Sequence, residues 1–385
     1  MLDQVRAWAS INSGSRNLQG LGTIAAMLAD EFAALPGALA LEEAAPVEAM
    51  DPGGSLAGVE HGRNLHLNVR PQAPVRILLT GHMDTVFGEH HEFQEVKWIE
   101  EGRVLGGPGV ADMKGGLAAM LAALKAVEAS PLAQRIGYEV VINSDEEVGS
   151  PGSAALIAGA AAGKKAAFVY EPAVLADGTL AGARPGSGNF SLLVQGRSAH
   201  AGRNPEDGRN ALVAAAELAF RLDAAKRPGL SVNPARIDGG GPNNVVPDRA
   251  VLRVNMRPLT PEDEADARAL LASIAAEVSA EREVRVTVHG GFGRPPKPLT
   301  PEAERLFALV ARCGADLGRE IEWRASGGVC DGNNIAARGV PVVDTMGVRG
   351  GSIHSAEEYL IVESLAERAA LSALALLRLA QGDGL

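Results

Sequence analysis

The sequence predicts an α/β protein: a mixed, mostly parallel sheet with helices on both faces, carrying an inserted ferredoxin-like α+β unit. Three observations lead there. From residue 64 to about 170, apolar runs of strand length alternate with helical stretches, the pattern of parallel strands joined by helical crossovers. Between Arg184 and Phe292 the order becomes strand, helix, strand, strand, helix, strand, the ferredoxin-like plan. After Pro298 the α/β alternation returns, so the small unit interrupts the large one. At 385 residues two domains are natural. The expected boundaries are 1–183 and 294–385 for the large domain and 184–293 for the insert.

The elements follow in order. Residues 1 to about 35 have helical periodicity that ends at Leu35-Pro36-Gly37, where proline and glycine stop a helix. NLHLNVR and VRILLT read as strands, and a helix starts near Lys114 in KGGLAAMLAALKAVEAS. YEVVIN, the helical SAALIAGAAA and KAAFVY come next. In the insert the strands are FSLLVQG, LSVNPARID, AVLRVNMRPL and VRVTVHG, and the helices are GRNALVAAAELAFRLDAA and PEDEADARALLASIAAEVSA. Gly186-Ser187-Gly188 and the segment Arg294 to Pro298 flank it as expected hinges. A helix (EAERLFALVARCGADLG), the strand PVVDTMG, a loop and a long amphipathic helix close the chain.

Bulk properties exclude several classes. Net charge is −11 and aromatics make up 4%, which argues against a phosphate-backbone surface and against base stacking. No nucleic-acid partner is expected. The most apolar stretch, SLAERAALSALALLRLAQG, is interrupted by Glu367, Arg368 and Arg378, so no membrane span is expected. The start, MLDQVRAWASINSGS, lacks a basic region followed by an apolar core. The two cysteines, Cys313 and Cys330, suit reduced thiols in a reducing compartment. Together these give a cytoplasmic expectation.

The residues that carry chemistry fall where apolar elements run out. His82 and Asp84 follow VRILLT in TGHMDTVF, and Asp112 lies in the Gly-rich turn GGPGVADMKGG. Glu146 and Glu147 follow YEVVIN in NSDEEVGS, Glu171 follows KAAFVY, and His354 lies in GGSIHSAEEY. In an open α/β sheet, ligands gather beyond the carboxyl ends of the strands. A mixed oxygen and imidazole set there suits zinc or a similar divalent ion, with cobalt or manganese as alternatives. Asp84, two residues beyond His82, is placed to accept from the second ring nitrogen, as metal-bound histidines require. Each residue also has a plain structural explanation: Asp112 as a helix cap, Glu146-Glu147 as a solvated pair, Glu171 before Pro172 as a turn, His354 as a loop residue. Their joint placement at the ends of core elements favours a site. The remaining histidines, including His61, His90 and His91, show no partner pattern and are expected at the surface.

These segments resemble the zinc-dependent exopeptidase and deacylase family that includes glutamate carboxypeptidase, acetylornithine deacetylase, succinyl-diaminopimelate desuccinylase and aminoacylase. The likeness runs end to end and is strongest to the glutamate carboxypeptidase branch, through GHMDTVF, DEEVGS, VYEP, SAHAGRNPEDGRNALV and HSAEEY. It implies that Asp112 bridges two zinc ions. His82 and Glu171 complete one ion, and Glu147 and His354 complete the other. It further implies that Glu146 is the general base, that Asp84 partners His82, and that a cis peptide follows Asp112. His200, in GRSAHAG, would reach a partner subunit's site and donate to the oxyanion. Asn244 and Arg257 would grip a substrate carboxylate, and the insert would form a homodimer and act as a lid.

The resulting expectation is a metal-dependent hydrolase acting on a small peptide or N-acyl amino acid with a free carboxylate, most simply a carboxypeptidase. An N-acyl amino-acid deacylase is the alternative within the same chemistry. A non-catalytic binding protein on the same fold would lack a ligand or the base, and none is missing. A nucleotide-binding reading rests only on Gly-rich turns, and GGPGVADMKGG lacks the P-loop ending.

Overall fold

A computed structural model describes residues 1–383. The chain forms two compact units, one of Met1–Ala45, Glu60–Arg184 and Leu299–Leu385, the other of Pro46–Val59 and Pro185–Pro298. The second unit therefore contains a segment, 46–59, that the sequence boundaries assign to the first. The chain crosses between units four times, at 45/46, 59/60, 184/185 and 298/299, where the sequence suggested two crossings.

The first unit is built on an eight-stranded mixed sheet. At its centre lie Ile136–Asn143, Val75–His82, Ala166–Val169 and Val342–Asp344, all mutually parallel. Antiparallel strands Asn64–Val69 and Ala38–Glu42 extend one edge. Alternation along the central strands sends side chains to two different cores. Ile77, Leu79, Val140, Ile142 and Phe168 face a large cluster that includes Leu117, Leu121, Leu306, Val310 and Leu376. Leu78, Val141, Ala167 and Val169 face the other way, against Ile157 and Ile335. Both faces are thus covered, which parallel strands require. The expected N-terminal helix is two helices, Leu2–Ala9 and Leu18–Phe32, the second capped by Asn17, whose side chain accepts from the Gly20 amide.

A smaller sheet of Gly350–Gly351, Tyr359–Ile361, Val104–Gly106 and Lys97–Glu100 sets the His354 loop beside the turn holding Asp112. No helix among the described residues is long and apolar enough to cross a membrane. Both cysteines are buried and free.

The second unit has an antiparallel sheet in the order Leu230–Gly239, Arg249–Pro258, Ser187–Gln195, Arg285–Arg294. Its helices Ala211–Ala224 and Pro261–Glu281 start at Asn210 and Thr260, whose side chains accept from Val213 and Asp263 amides. They pack on Leu192, Val194, Leu252 and Val254, each such burial being worth about 1.5–3 kcal/mol. Leu193 and Val251 point to the opposite face, where Met50 of the 46–59 hairpin covers them. Arg253 fastens that hairpin by donating to the carbonyls of Met50 and Asp51 at 2.7 and 2.9 Å.

At the sheet edge of the first unit, His66 lies between Glu42 and Glu139, its ring nitrogens 2.5 and 2.6 Å from their oxygens. Lys164 donates to the other Glu139 oxygen at 2.5 Å. The hydrogen bond to Glu139 raises the His66 pKa above its ordinary value, against burial, with Glu42 adding to the rise. A histidine with a raised folded pKa contributes stability that is complete below the unfolded value, about 6.5, and is lost as pH rises through the folded value. His66→Gln should therefore lower the thermal midpoint more at about pH 6 than at about pH 8.5. Equal losses at the two pH values would show that the imidazolium does not hold these strands together.

Candidate metal centre

Three neighbouring parallel strands end at one edge of the large sheet and set most of the site. Val75–His82 ends on His82, Ile136–Asn143 leads to Glu146 and Glu147, and Ala166–Val169 leads to Glu171. Pairing of His82 with Asn143 and of Thr80 with Val169 keeps the three ends level. Asp112 arrives from a kinked turn before the helix Gly116–Glu128, and the peptide bond after it is cis, as the resemblance implies. Gly109 opens this turn at φ +72, where an added Cβ would stand 2.8 Å from Thr85 and 3.0 Å from the Lys114 Nζ. Gly116 lets the helix start against the next strand, since a Cβ there would stand 2.1 Å from the Tyr170 carbonyl oxygen.

The two oxygens of Asp112 face different partners. Oδ1 is 3.1 Å from His82 Nε2, which is itself 3.7 Å from Glu171 Oε2. Oδ2 is 3.2 Å from His354 Nε2, which is 3.1 Å from Glu147 Oε2. The possible ligand atoms of His82, Asp112 and Glu147 lie within 4.8 Å of one another, as do those of His82, Glu146 and Glu171. Two His–carboxylate pairs thus meet on one carboxylate, and the donor types fit a borderline divalent ion.

The electrostatics are those of acids crowded away from water. Burial and then Asp112 push Glu171 up to about 7, and the same two causes raise Glu147. Burial opposes charge on Asp112 too, but hydrogen bonds from His354 and His82 hold its carboxyl well below the usual carboxylate range. Hydrogen bonds to Asp112 and Glu147 push His354 up to about 11. His82 is raised despite its burial, by Glu171, Asp112 and Asp84.

Several contributors escape the sequence reading. The Asp84 carboxylate does more than face His82: its oxygens accept from the Glu146 and Glu147 amides at 3.1 and 3.2 Å and from the Ser15 hydroxyl at 2.7 Å. His82 Nδ1 is closest to the Asp84 carbonyl, 3.0 Å, with the carboxylate at 3.4 Å. Glu358 accepts from the amides of Gly109, Ala111 and Asp112 at 3.1, 2.9 and 3.0 Å, holding the Asp112 turn from the His354 loop. Lys114 is buried with its Nζ on Ser13 Oγ, and burial brings it down to about 8 against the pull of Glu358, Asp84, Glu147 and Asp112. Arg184 is held by Asp344 at 2.9 Å and lies close enough to oppose the rise at Glu171. Only the acidic pair in HSAEEY offered a sequence hint, for Glu358.

His61, expected at the surface, is a correction. Its side chain is fully buried, with Nδ1 3.6 Å from Asp145 beneath the Glu146 turn. His90 and His91 are exposed.

The other expected residues belong to the second unit. His200 is exposed, and its Nδ1 accepts from the Gly202 and Arg203 amides at 3.1 and 3.2 Å. That leaves Nε2 as the nitrogen bearing the proton in the neutral ring, a donor. Asn244 lies beside it, its carbonyl accepting from the Ala201 amide at 3.0 Å. Arg257 is elsewhere: its Nε donates to Asn255 Oδ1 at 3.0 Å near one end of the strand Arg249–Pro258, whereas the Asn244 loop enters the other end. A strand of that length spans about 30 Å. Asn244 and Arg257 thus stand toward opposite ends of that strand.

An α/β sheet with level strand ends, a His–carboxylate cluster beyond them and an inserted ferredoxin-like unit defines a metal-dependent hydrolase architecture. The profile of peptidase family M20/M25/M40 matches residues 78–378, and the chain belongs to this family of metallohydrolases. It is similar to carboxypeptidase G2 of Pseudomonas sp. (strain RS-16), 31% identical over 337 residues that cover 85% of this chain and 79% of that protein. It is also similar to acetylornithine deacetylase of Erwinia tasmaniensis, 30% identical over 270 residues covering 64% of this chain and 66% of that one. Its fold is that of a tripeptidase from Staphylococcus aureus, with a TM-score of 0.75 at 22% identity, covering 99% of this chain and 98% of that chain.

Because each Asp112 oxygen faces a different His–carboxylate pair, Asp112→Ala is expected to lose both ions after zinc loading. Elemental analysis that still finds two metals per chain would contradict a shared ligand.

Proposed function

We propose that this protein is a two-metal amidohydrolase, a carboxypeptidase-type exopeptidase that releases a C-terminal amino acid. The observation that supports this most directly is the Asp112 carboxylate, with one oxygen toward His82 and Glu171 and the other toward His354 and Glu147. In this reading His82, Asp112 and Glu171 hold one ion, and Asp112, Glu147 and His354 hold the other. Zinc suits these donors best, with cobalt or manganese as substitutes. Bound divalent ions supply Lewis acidity that polarises the scissile carbonyl and acidifies water.

The chain's own residues do the rest. Glu146, spent on neither ion, takes the proton of the attacking water and delivers it to the leaving nitrogen. Its backbone amide is fixed by Asp84, so its side chain projects from a held turn. Arg257 receives the carboxylate next to the scissile amide, because a planar guanidinium matches it bidentately. His200 donates from Nε2 to the developing oxyanion, and Asn244, on the neighbouring backbone, acts where His200 acts. Since Asn244 and Arg257 lie at opposite strand ends, His200 and Asn244 are best explained as serving a partner subunit's site in a symmetric dimer formed through the second unit.

The carboxypeptidase reading draws on similarity to carboxypeptidase G2 over 85% of the chain. Similarity to acetylornithine deacetylase favours a second reading, N-acyl amino-acid deacylase, with the same chemistry and the same free carboxylate. The deciding experiment is a screen of the zinc-loaded protein against dipeptides, N-acyl amino acids and their methyl esters. Glu146→Ala should keep its metals and lose kcat by roughly 10²–10⁴. A variant retaining more than about a tenth of its activity excludes Glu146 as the base, and equal cleavage of a methyl ester excludes the carboxylate anchor.

A mixed dimer tests the action across subunits. One His200→Ala subunit paired with one Glu146→Ala subunit should recover part of the activity, since one of its two sites holds both groups. A verified heterodimer with no recovery would mean that His200 works within its own chain or not at all.

A further inference from the structure

We propose that Asp331 is a positioning residue that aims Glu146 and Glu147, and so sets both the proton-transfer geometry and the affinity of one of the two ions. It rests on the reading of Glu146 as base and Glu147 as ligand. Asp331 is 2% exposed and opens the short helix Asp331–Ala336, far along the chain from the glutamates. Its Oδ2 accepts from Asn143 Nδ2 at 2.8 Å and its Oδ1 from the Ser150 hydroxyl at 2.5 Å. Asn143 is the last residue of the strand before the Glu146 turn and Ser150 the first residue after it, so one carboxylate closes the turn at both ends.

The connections continue inward. Asn143 Nδ2 also reaches Ser153 Oγ at 2.9 Å, and Ser153 donates to Asp145 Oδ1 at 2.5 Å. The other Asp145 oxygen accepts from the Gly152 amide at 2.6 Å, and the Asp145 carbonyl accepts from the Ser150 amide at 2.8 Å. Ser150 itself sits at φ +57, a left-handed conformation that a serine holds only when its surroundings impose it. The turn is thus gripped from two sides: Asp84 takes its amides, and Asp331 takes the side chains at its ends. With both grips, Glu146 reaches the His82 and Glu171 group and Glu147 the His82 and Asp112 group. Without Asp331 the buried donors of Asn143 and Ser150 lose an acceptor, and the turn can relax about the Asp84 anchor.

A purely structural role would lower global stability and weaken both ions together. A positioning role predicts something narrower. In Asp331→Ala, amide hydrogen exchange should accelerate in 144–150 while the helix 116–128 keeps its protection. Zinc titration should show one of the two ions weakened, the one that takes Glu147, and kcat at saturating zinc should fall about 10–100-fold with little change in KM. Ser150→Ala, the milder variant should Asp331→Ala fail to fold, should shift exchange and kcat in the same direction. The double variant should be no worse than Asp331→Ala, since both remove the same connection. Unchanged exchange in 144–150, or equal weakening of both ions with activity following occupancy, would overturn the proposal. Failure of the base reading shows instead in Glu146→Ala, where an active variant would leave the exchange and zinc results of Asp331→Ala standing.

Discussion

One carboxylate, Asp112, is the interaction on which the first unit's site depends. Its two oxygens look toward two imidazoles 3.1 and 3.2 Å away, and each imidazole has a further carboxylate behind it. Such a group cannot be placed by one element, because its position must satisfy His82 from the sheet and His354 from a separate loop at once. The fold meets this with a turn rather than a helix or strand: the backbone around Asp112 and Met113 leaves helical geometry, and Glu358 takes three of its amides. An amide buried without a partner costs on the order of 1–3 kcal/mol, so the Glu358 carboxylate is what makes the irregular turn tolerable in the interior.

The same device recurs around the site. Asp84, Asp331 and Glu358 are buried carboxylates whose oxygens go to backbone amides and small polar side chains. Each fixes a loop that carries another acid. Charge-assisted bonds of this kind are stronger than neutral ones, but they add negative charge where it is already concentrated. Burial first, and the Asp112 charge second, push Glu171 and Glu358 each up to about 7. Lys114 and Arg184, both nearly fully buried, are the fixed cations that offset it from the protein side. A dinuclear divalent centre would complete the compensation, which is why so acidic an interior makes physical sense in a metallohydrolase and little sense otherwise.

What the sequence revealed, and what it concealed, follows from range. The central strands were legible because their apolar runs are continuous, as doubly covered strands must be, and their ends marked His82, Glu146 and Glu171 directly. The strand–helix order of the second unit was legible through its alternation and its capped helices. The 46–59 hairpin was not: its strands Val47–Met50 and Leu56–Val59 are exposed along most of their length, so no alternation marks them, and only Met50 ties them to a core. His61 looked solitary because the acid nearest its buried ring, Asp145, lies far along the chain. Asp331 was hidden in the same way, since Asn143 and Ser150, the residues it holds, lie far along the chain. Motifs report groups that meet a ligand, whereas the groups that hold those groups are found only through contacts between distant segments.

The second unit shows the limit of motif spacing most clearly. Asn244 and Arg257 stand a fixed thirteen residues apart, and that regularity suggested a single two-pronged grip. The intervening residues are a strand, and a strand is a rigid spacer: fixed spacing along it guarantees separation, not convergence. Asn244 instead shares backbone hydrogen bonding with the His200 segment, through Ala201 on one side and the Val246 amide to the Ala199 carbonyl at 2.9 Å on the other. Asn244 therefore stands beside His200, and Arg257 near the far end of the following strand. If all three act on one substrate, as proposed, contributions from two copies of the chain in a symmetric dimer would account for their separation along the strand, and activity using this set would then belong to the oligomer.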